Sequence, residues 1–306
     1  MKKLVIYAIT LHCLFISILS FTLNSPVFAS DMVKPLSDSS YIKSIQIWHQ
    51  QRIESLKSET GWLNLAGLFW LKEGKNTFGS SKTNDIVFPK GAEKLGSFTL
   101  INEEVTVDID PKAQVFIKND AVSTLKIFPT DKNLIMQSSS LRWFIIKRGP
   151  KIGVRLRDVE SDVVKHFGGI HTYPIDSTWR IKARLETSNK AKTVDITDVL
   201  GQTGPQPLAG TLVFKISGKT YRLDAIDEGN DLFIIFADDT NGKETYGSGR
   251  FLYAQKPDAN GVVYLDFNKA INPPCAFTPY ATCPLPPKQN KLVLAILSGE
   301  KNFGDH

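Results

Sequence analysis

From Gly61 onward the chain is cut into short apolar runs, each closed by Gly, Asn, Asp or Pro: LAGLFWL, NTFGS, DIVF, GSFTL, EVTVDI, AQVFI, LKIF, LRWFIIKR and IGVRLR. Several of them alternate apolar and polar residues with period two, which places every second side chain on one face of a pleated strand. No helical pattern separates them, which argues against a single long parallel sheet. Strands at this pitch predict an antiparallel sandwich or barrel.

The pattern pauses at residues 158–171, where Gly168 and Gly169 precede Tyr173-Pro174, and then resumes. WRIKARLE, TVDITDVLG, GTLVFKI, KTYRLDAI, DLFIIFAD, GRFLYAQ and VVYLDF form a second strand-rich block. In it, GTLVFKISGKTYRLDAI reads as a hairpin that turns at Ser217-Gly218. The echo of a phosphate loop in SGKT fails, because the required upstream glycine falls at Val213 and a strand follows instead of a helix. Ahead of both blocks, Tyr41, Ile45, Trp48 and Leu56 recur at helical spacing behind the N-cap candidates Ser39 and Ser40. The expected fold is mainly β: an N-terminal amphipathic helix followed by two antiparallel β domains, a sandwich and a barrel-like sheet. The expected boundaries are 30–59 for tail and helix, 60–157 for the first β domain, 158–171 for a link and 172–306 for the second β domain.

Residues 1–29 have the layout of a secretory signal peptide: Lys2 and Lys3, an apolar run from Leu4 to Leu23, the helix break at Pro26 and the small-residue pattern Val27-x-Ala29. The competing reading is a retained membrane anchor. Cleavage predicts an exported protein, periplasmic or secreted, with no stable membrane insertion afterwards. The formal net charge of +6 includes those two leader lysines, so the remainder carries +4. Such a mild surplus of mixed sign predicts no nucleic-acid partner. Protein partners are not indicated.

With Cys13 in the leader, the remaining cysteines are Cys275 and Cys283, both in NPPCAFTPYATCPLPP. In an oxidising compartment they predict a disulfide closing a small ring. A metal-binding or redox thiol pair and two unpaired cysteines are the alternatives.

The chain has no GxSxG, HExxH or CxxC. His166 and His171 lack a third ligand nearby, Asp85 lacks the spaced carboxylates of a calcium loop, and His49 lies off the helix stripe as a solvated side chain. No metal and no cofactor are expected. The densest group of ionisable residues is FADDTNGKETYGSGRFLY, followed by the Asp266, Asn268 and Lys269 of DFNK, which leads into the proline loop. If these segments converge, Glu244 or Asp266 is a candidate base and Arg250 an anion clamp, with Tyr246, Asn268 and Tyr280 completing a pocket for a small polar or anionic ligand. The structural alternative is a hairpin loop in which Arg250 pairs with Glu244. Ligand binding, acid/base hydrolysis in the same pocket, and a noncatalytic envelope interaction all remain open.

The phrases GWLNLAGLFWLKEGKNTFGS, LRWFIIKRG, ETYGSGRFLYA and DFNKAINPPCAFTPYATCPLPPKQN, closing with SGEK, resemble a bacterial family of unknown function. The likeness runs from about Trp48 to Lys301 and implies a shared fold, without assigning any residue a role. The opening strands of the first block are similar to a forkhead-associated sandwich, which reads phosphothreonine. That resemblance implies architecture only, since Ser80 follows Gly79 where that family has arginine, and Glu93-Lys94-Leu95-Gly96-Ser97 replaces its serine-arginine phrase.

Overall fold

A computed structural model describes residues 38–187 and 192–304. Residues 1–29, expected to be a signal peptide, and the expected tail before Asp38 lie outside the described residues. The first element is α1 (Asp38–Lys57), whose Tyr41, Ile45 and Leu56 are buried as their spacing requires. Ser39 and Ser40 lie within its first turn, because the helix already begins at Asp38.

Eleven strands follow: β1 (Leu65–Trp70), β2 (Gly74–Gly79), β3 (Ile86–Val87), β4 (Gly96–Ile101), β5 (Glu104–Ile109), β6 (Phe116–Ile117), β7 (Asp120–Ala121), β8 (Thr124–Phe128), β9 (Met136–Ser138), β10 (Leu141–Arg148) and β11 (Lys151–Asp158). They form a six-stranded sheet, β1-β11-β10-β9-β6-β7, and a five-stranded sheet, β3-β2-β4-β5-β8. All pairs are antiparallel except β2 with β3. The sheets face each other across one core, to which β10 and β11 contribute Trp143, Ile145, Val154 and Leu156, and β2, β4 and β5 contribute Phe78, Phe98, Val105 and Val107. Phe78 stacks on Phe98 at 4.2 Å between ring centroids, and Trp143 meets Phe88 edge-on at 5.5 Å. Asp85 caps a turn by accepting from Thr77 N and Oγ1 at 2.8 and 2.7 Å, and these bonds lower its pKa.

The 158–171 segment carries the one-turn helix α2 (Asp162–Lys165), capped by Ser161. The second set of strands is β12 (Arg180–Glu186), β13 (Thr193–Thr197), β14 (Thr203–Ile216), β15 (Lys219–Glu228), β16 (Asp231–Phe236), β17 (Arg250–Gln255) and β18 (Val262–Asp266). They pair in the order β17-β16-β15-β14-β12-β18, with β13 on β14. The terminal strands β17 and β18 also approach each other, so the sheet nearly closes on itself. The β14–β15 hairpin turns at Ser217 and Gly218, whose φ angles of 49° and 78° suit a primed turn. The barrel interior is filled by side chains, among them Leu212, Phe214, Leu232, Phe236, Leu252, Leu265 and Phe267. A mainly β chain, with a helix first and then a sandwich and a barrel-like sheet, matches the expectation. From Asp38 onward the described residues form one compact unit. Among them, no helix is long and apolar enough to cross a membrane.

Candidate functional site

Antiparallel pairing brings the end of β16, the start of β17, the end of β18 and the start of β12 to one end of the barrel. Arg250 pairs with Phe236 across β16 and β17, and Arg180 with Asp266 across β12 and β18. Arg250 is 0% exposed. Its Nη2 donates to Asp238 Oδ2 at 2.5 Å and to Ile296 O at 3.1 Å, while Nη1 donates to Ser298 O. The guanidinium also lies over the Phe236 ring, 5.3 Å from its centroid. Asp238 in turn accepts from Thr240 N at 2.7 Å. Arg250 thus pairs with Asp238, not with Glu244, and closes the barrel end from within.

The strand-free segment 296–301 is laid across this end. Gly299 carries a φ of +81°, and a Cβ there would stand 2.6 Å from Ala270 O and 2.7 Å from Phe267 O, so only glycine permits the approach. Next to it Glu300 is fully buried. Its carboxylate accepts from Arg52 Nε at 3.1 Å and from Asn272 N at 2.6 Å, and burial raises its pKa against the opposing pull of Arg52. Glu244 is half exposed and pairs with Lys301 at 3.4 Å. Tyr173 sits beneath Lys301, whose Nζ lies 4.4 Å from the ring centroid. Burial first, and the nearby Glu244 carboxylate second, push the Tyr173 pKa up to about 12. The Tyr173 hydroxyl nonetheless meets no acceptor at hydrogen-bond geometry.

Asp266 and Asn268 do come together, but under α1. Asp266 Oδ1 accepts from Tyr41 Oη at 2.8 Å and from Asn268 Nδ2 at 3.1 Å. Asn268 also donates to Tyr41 Oη at 2.9 Å and to Asp176 O at 2.9 Å, and accepts from Asp176 N at 3.0 Å. Burial, then Asp266, raise the Tyr41 pKa. His49 is not a solvated side chain: its Nε2 lies 3.0 Å from Asn268 O. One face of α1 therefore supplies Tyr41, His49 and Arg52 to the barrel end.

The proline loop is closed by a Cys275–Cys283 disulfide with Cα atoms 6.1 Å apart. Tyr280 is 36% exposed, and its backbone N donates to Thr278 Oγ1 at 3.3 Å within the loop. Tyr246 joins an apolar cluster with Trp62, Ala276, Phe277 and Phe303. Arg52, Asn272, Ser298 and Glu300 were not legible as site residues, because each gains its role from a partner far along the chain. Asn272 and SGEK lie within phrases that carry the family resemblance, and this was the available signal.

Around residues 298–300 several buried polar atoms have no partner among the described residues: Arg250 Nε, Tyr173 Oη, Ser298 Oγ and Asn272 Oδ1. Among the described residues no group of three or more His, Cys, Asp or Glu is placed to hold a metal ion. Two shallow depressions of about 290 and 430 Å³ lie on the sandwich half, one beside Trp70 and Lys151, the other beside Thr99 and Thr106.

Residues 165–301 match the model of a family described as protein of unknown function (DUF1684). A solution NMR structure of an uncharacterized protein from gene locus rrnAC0354 of Haloarcula marismortui is 31% identical, with a TM-score of 0.39. That match covers 46% of this chain and 80% of the other. No curated protein matches the sequence.

Proposed function

We propose that this chain, whose residues 165–301 match the DUF1684 family, is an exported protein that binds a small polar or anionic ligand at the polar end of the second β barrel. One observation carries the reading. Arg250 Nε, Tyr173 Oη, Ser298 Oγ and Asn272 Oδ1 are buried without partners along one short segment. Each such atom costs about 1–3 kcal/mol when left unsatisfied, and native proteins satisfy nearly all of theirs. Three donors and one acceptor suit a compact carboxylate or hydroxylated ligand. Recognition is favoured over catalysis because the candidate bases are committed, Asp266 to Tyr41 and Asn268, and Glu244 to Lys301.

The sandwich half serves in this reading as a scaffold. Its six-and-five arrangement of strands supports the likeness to a forkhead-associated domain. Yet Ser80 Oγ donates to Gly91 O at 2.8 Å and Lys94 pairs with Asp110 at 3.0 Å, so neither is available to a phosphothreonine.

The test is a thermal-shift screen of small carboxylates and polyols on residues 30–306, repeated on Ser298→Ala and Tyr173→Phe. Both variants delete an unpartnered hydroxyl and keep every bond described above. A ligand at a hundredfold excess over its Kd should raise the midpoint by roughly 5–10 °C in the parent and by much less in the variants. Stabilisation that survives both substitutions refutes the site. Export is tested by fractionation and N-terminal sequencing, with Ser30 the expected first residue.

A further inference from the structure

The outer face of the six-stranded sheet, turned away from the sandwich core, is built from every second residue of three neighbouring strands. Register places Arg142 beside Arg157, Phe144 beside Arg155, and Arg148 beside Lys151, while Leu68 of β1 flanks Arg155 on its other side. The pairs contribute five cations to this face and no carboxylate. The nearby acids are spent elsewhere: Asp158, one residue out of phase, pairs with Lys90, and Glu103 pairs with Lys147.

The proline loop runs across this face. At one end Arg148 Nε donates to Thr282 Oγ1 at 3.2 Å. At the other, the Arg157 guanidinium lies 6.0 Å from the Trp62 ring centroid, and Trp62 packs against an apolar cluster that includes Leu56, Leu63, Ala276 and Phe277. Residues 276–282 thus run from the cluster beside Arg157 to Arg148, and Arg155 lies between Arg148 and Arg157 on β11. It is 5% exposed, and neither Nε nor Nη2 has a partner among the described residues. Arg157, by contrast, is held by Gly61 O and by Asn64 Oδ1 at 2.7 Å. A buried guanidinium with no counter-charge and two like charges for neighbours is a costly arrangement. Burial, then Arg148 and Arg157, lower its pKa to about 10, which still leaves it charged at neutral pH.

We infer that Arg155, flanked by Arg148 and Arg157 beneath the proline loop, is a binding site for a small oxyanion, a phosphate or carboxylate group that lies between the sandwich face and the loop. The planar fork of Arg155 offers two parallel donors to two oxygens of such a group, which a lysine cannot do. Cover by the loop restricts the ligand to a compact anion and excludes a polymer backbone. The site is distinct from the barrel end and does not depend on the reading given for it.

The experiment compares thermal midpoints of residues 30–306 in inorganic phosphate, acetate and chloride at equal ionic strength, for the parent, Arg155→Met, Arg155→Lys and Arg222→Met, the last an exposed arginine of the barrel paired with Glu186. The parent and Arg222→Met should rise by roughly 5–10 °C at a hundredfold excess of the bound anion over its Kd, with chloride inert. A shift in phosphate alone identifies a phosphate site, and a shift in acetate alone a carboxylate site. Arg155→Met should be the more stable protein without anion and lose the response, while Arg155→Lys should retain a reduced one. Should Arg155→Met fail to fold, the Arg155 Nε–H resonance of the parent gives the readout and should move on addition of the anion. A parent insensitive to both anions, an unmoved Nε–H resonance, or a response that survives in Arg155→Met would each overturn the inference.

Discussion

At the scale of single residues, burial decides what an ionisable group can do. Arg250 and Asp238 have fully buried side chains. Removing one member of such a pair leaves the other charged in a medium that solvates it poorly, at a cost of about 3–5 kcal/mol. Asp238→Ala should therefore lower stability by about that amount, read as a shift in the urea midpoint at constant m-value. A loss below about 1 kcal/mol would mean that Ile296 O and Ser298 O hold the guanidinium unaided. Sequence alone placed Asp238, Glu244 and Arg250 in one loop and offered Glu244 as the partner of Arg250, where the structure has Asp238. Strand pairing makes the choice: Arg250 lies opposite Phe236, and Asp238 follows two residues later on the same chain.

At the scale of elements, most strands were legible, because a half-buried strand writes its two faces into alternate residues. β5, EVTVDI, does this clearly, with Val105, Val107 and Ile109 buried. The two-residue strand β7 left no such mark, being too short to alternate and wholly exposed. The helix was legible as amphipathic, but the purpose of its buried face was not. Tyr41 reads as an apolar residue at helical spacing, yet its hydroxyl is what meets Asp266 and Asn268. Tyr41→Phe keeps the ring and removes both bonds. A hydrogen bond to a charged group contributes about 1.5–3 kcal/mol, so the variant should lose that much stability and exchange α1 amides faster. Unchanged exchange would assign the docking of α1 to Ile45 and Leu56 alone.

At the scale of the whole molecule, Glu300 joins α1 to the segments on both sides of the proline loop. Its folded pKa is raised above the ordinary carboxylate value of 4.5, so over a window opening upward from there the native state binds more proton than the unfolded chain. The contribution is present in full below that window and is lost as pH rises through the folded pKa. Relative to Glu300→Gln, the parent should gain stability as pH falls from neutral toward 5, as measured by chemical denaturation at each pH. A flat difference would show that Arg52 and Asn272 offset the burial completely. No local pattern could have revealed this, since the ion pair joins residues 248 positions apart.

That separation also has a meaning in time. A ribosome adding roughly 5–20 residues per second finishes α1 some 10–50 s before it reaches Glu300. Throughout that interval Arg52 has no carboxylate to meet and the barrel end lacks the segment that crosses it, while Tyr41 and His49 already have Asp266 and Asn268 to meet. Docking of the first helix can therefore begin on the end of β18, and Glu300 completes it afterwards.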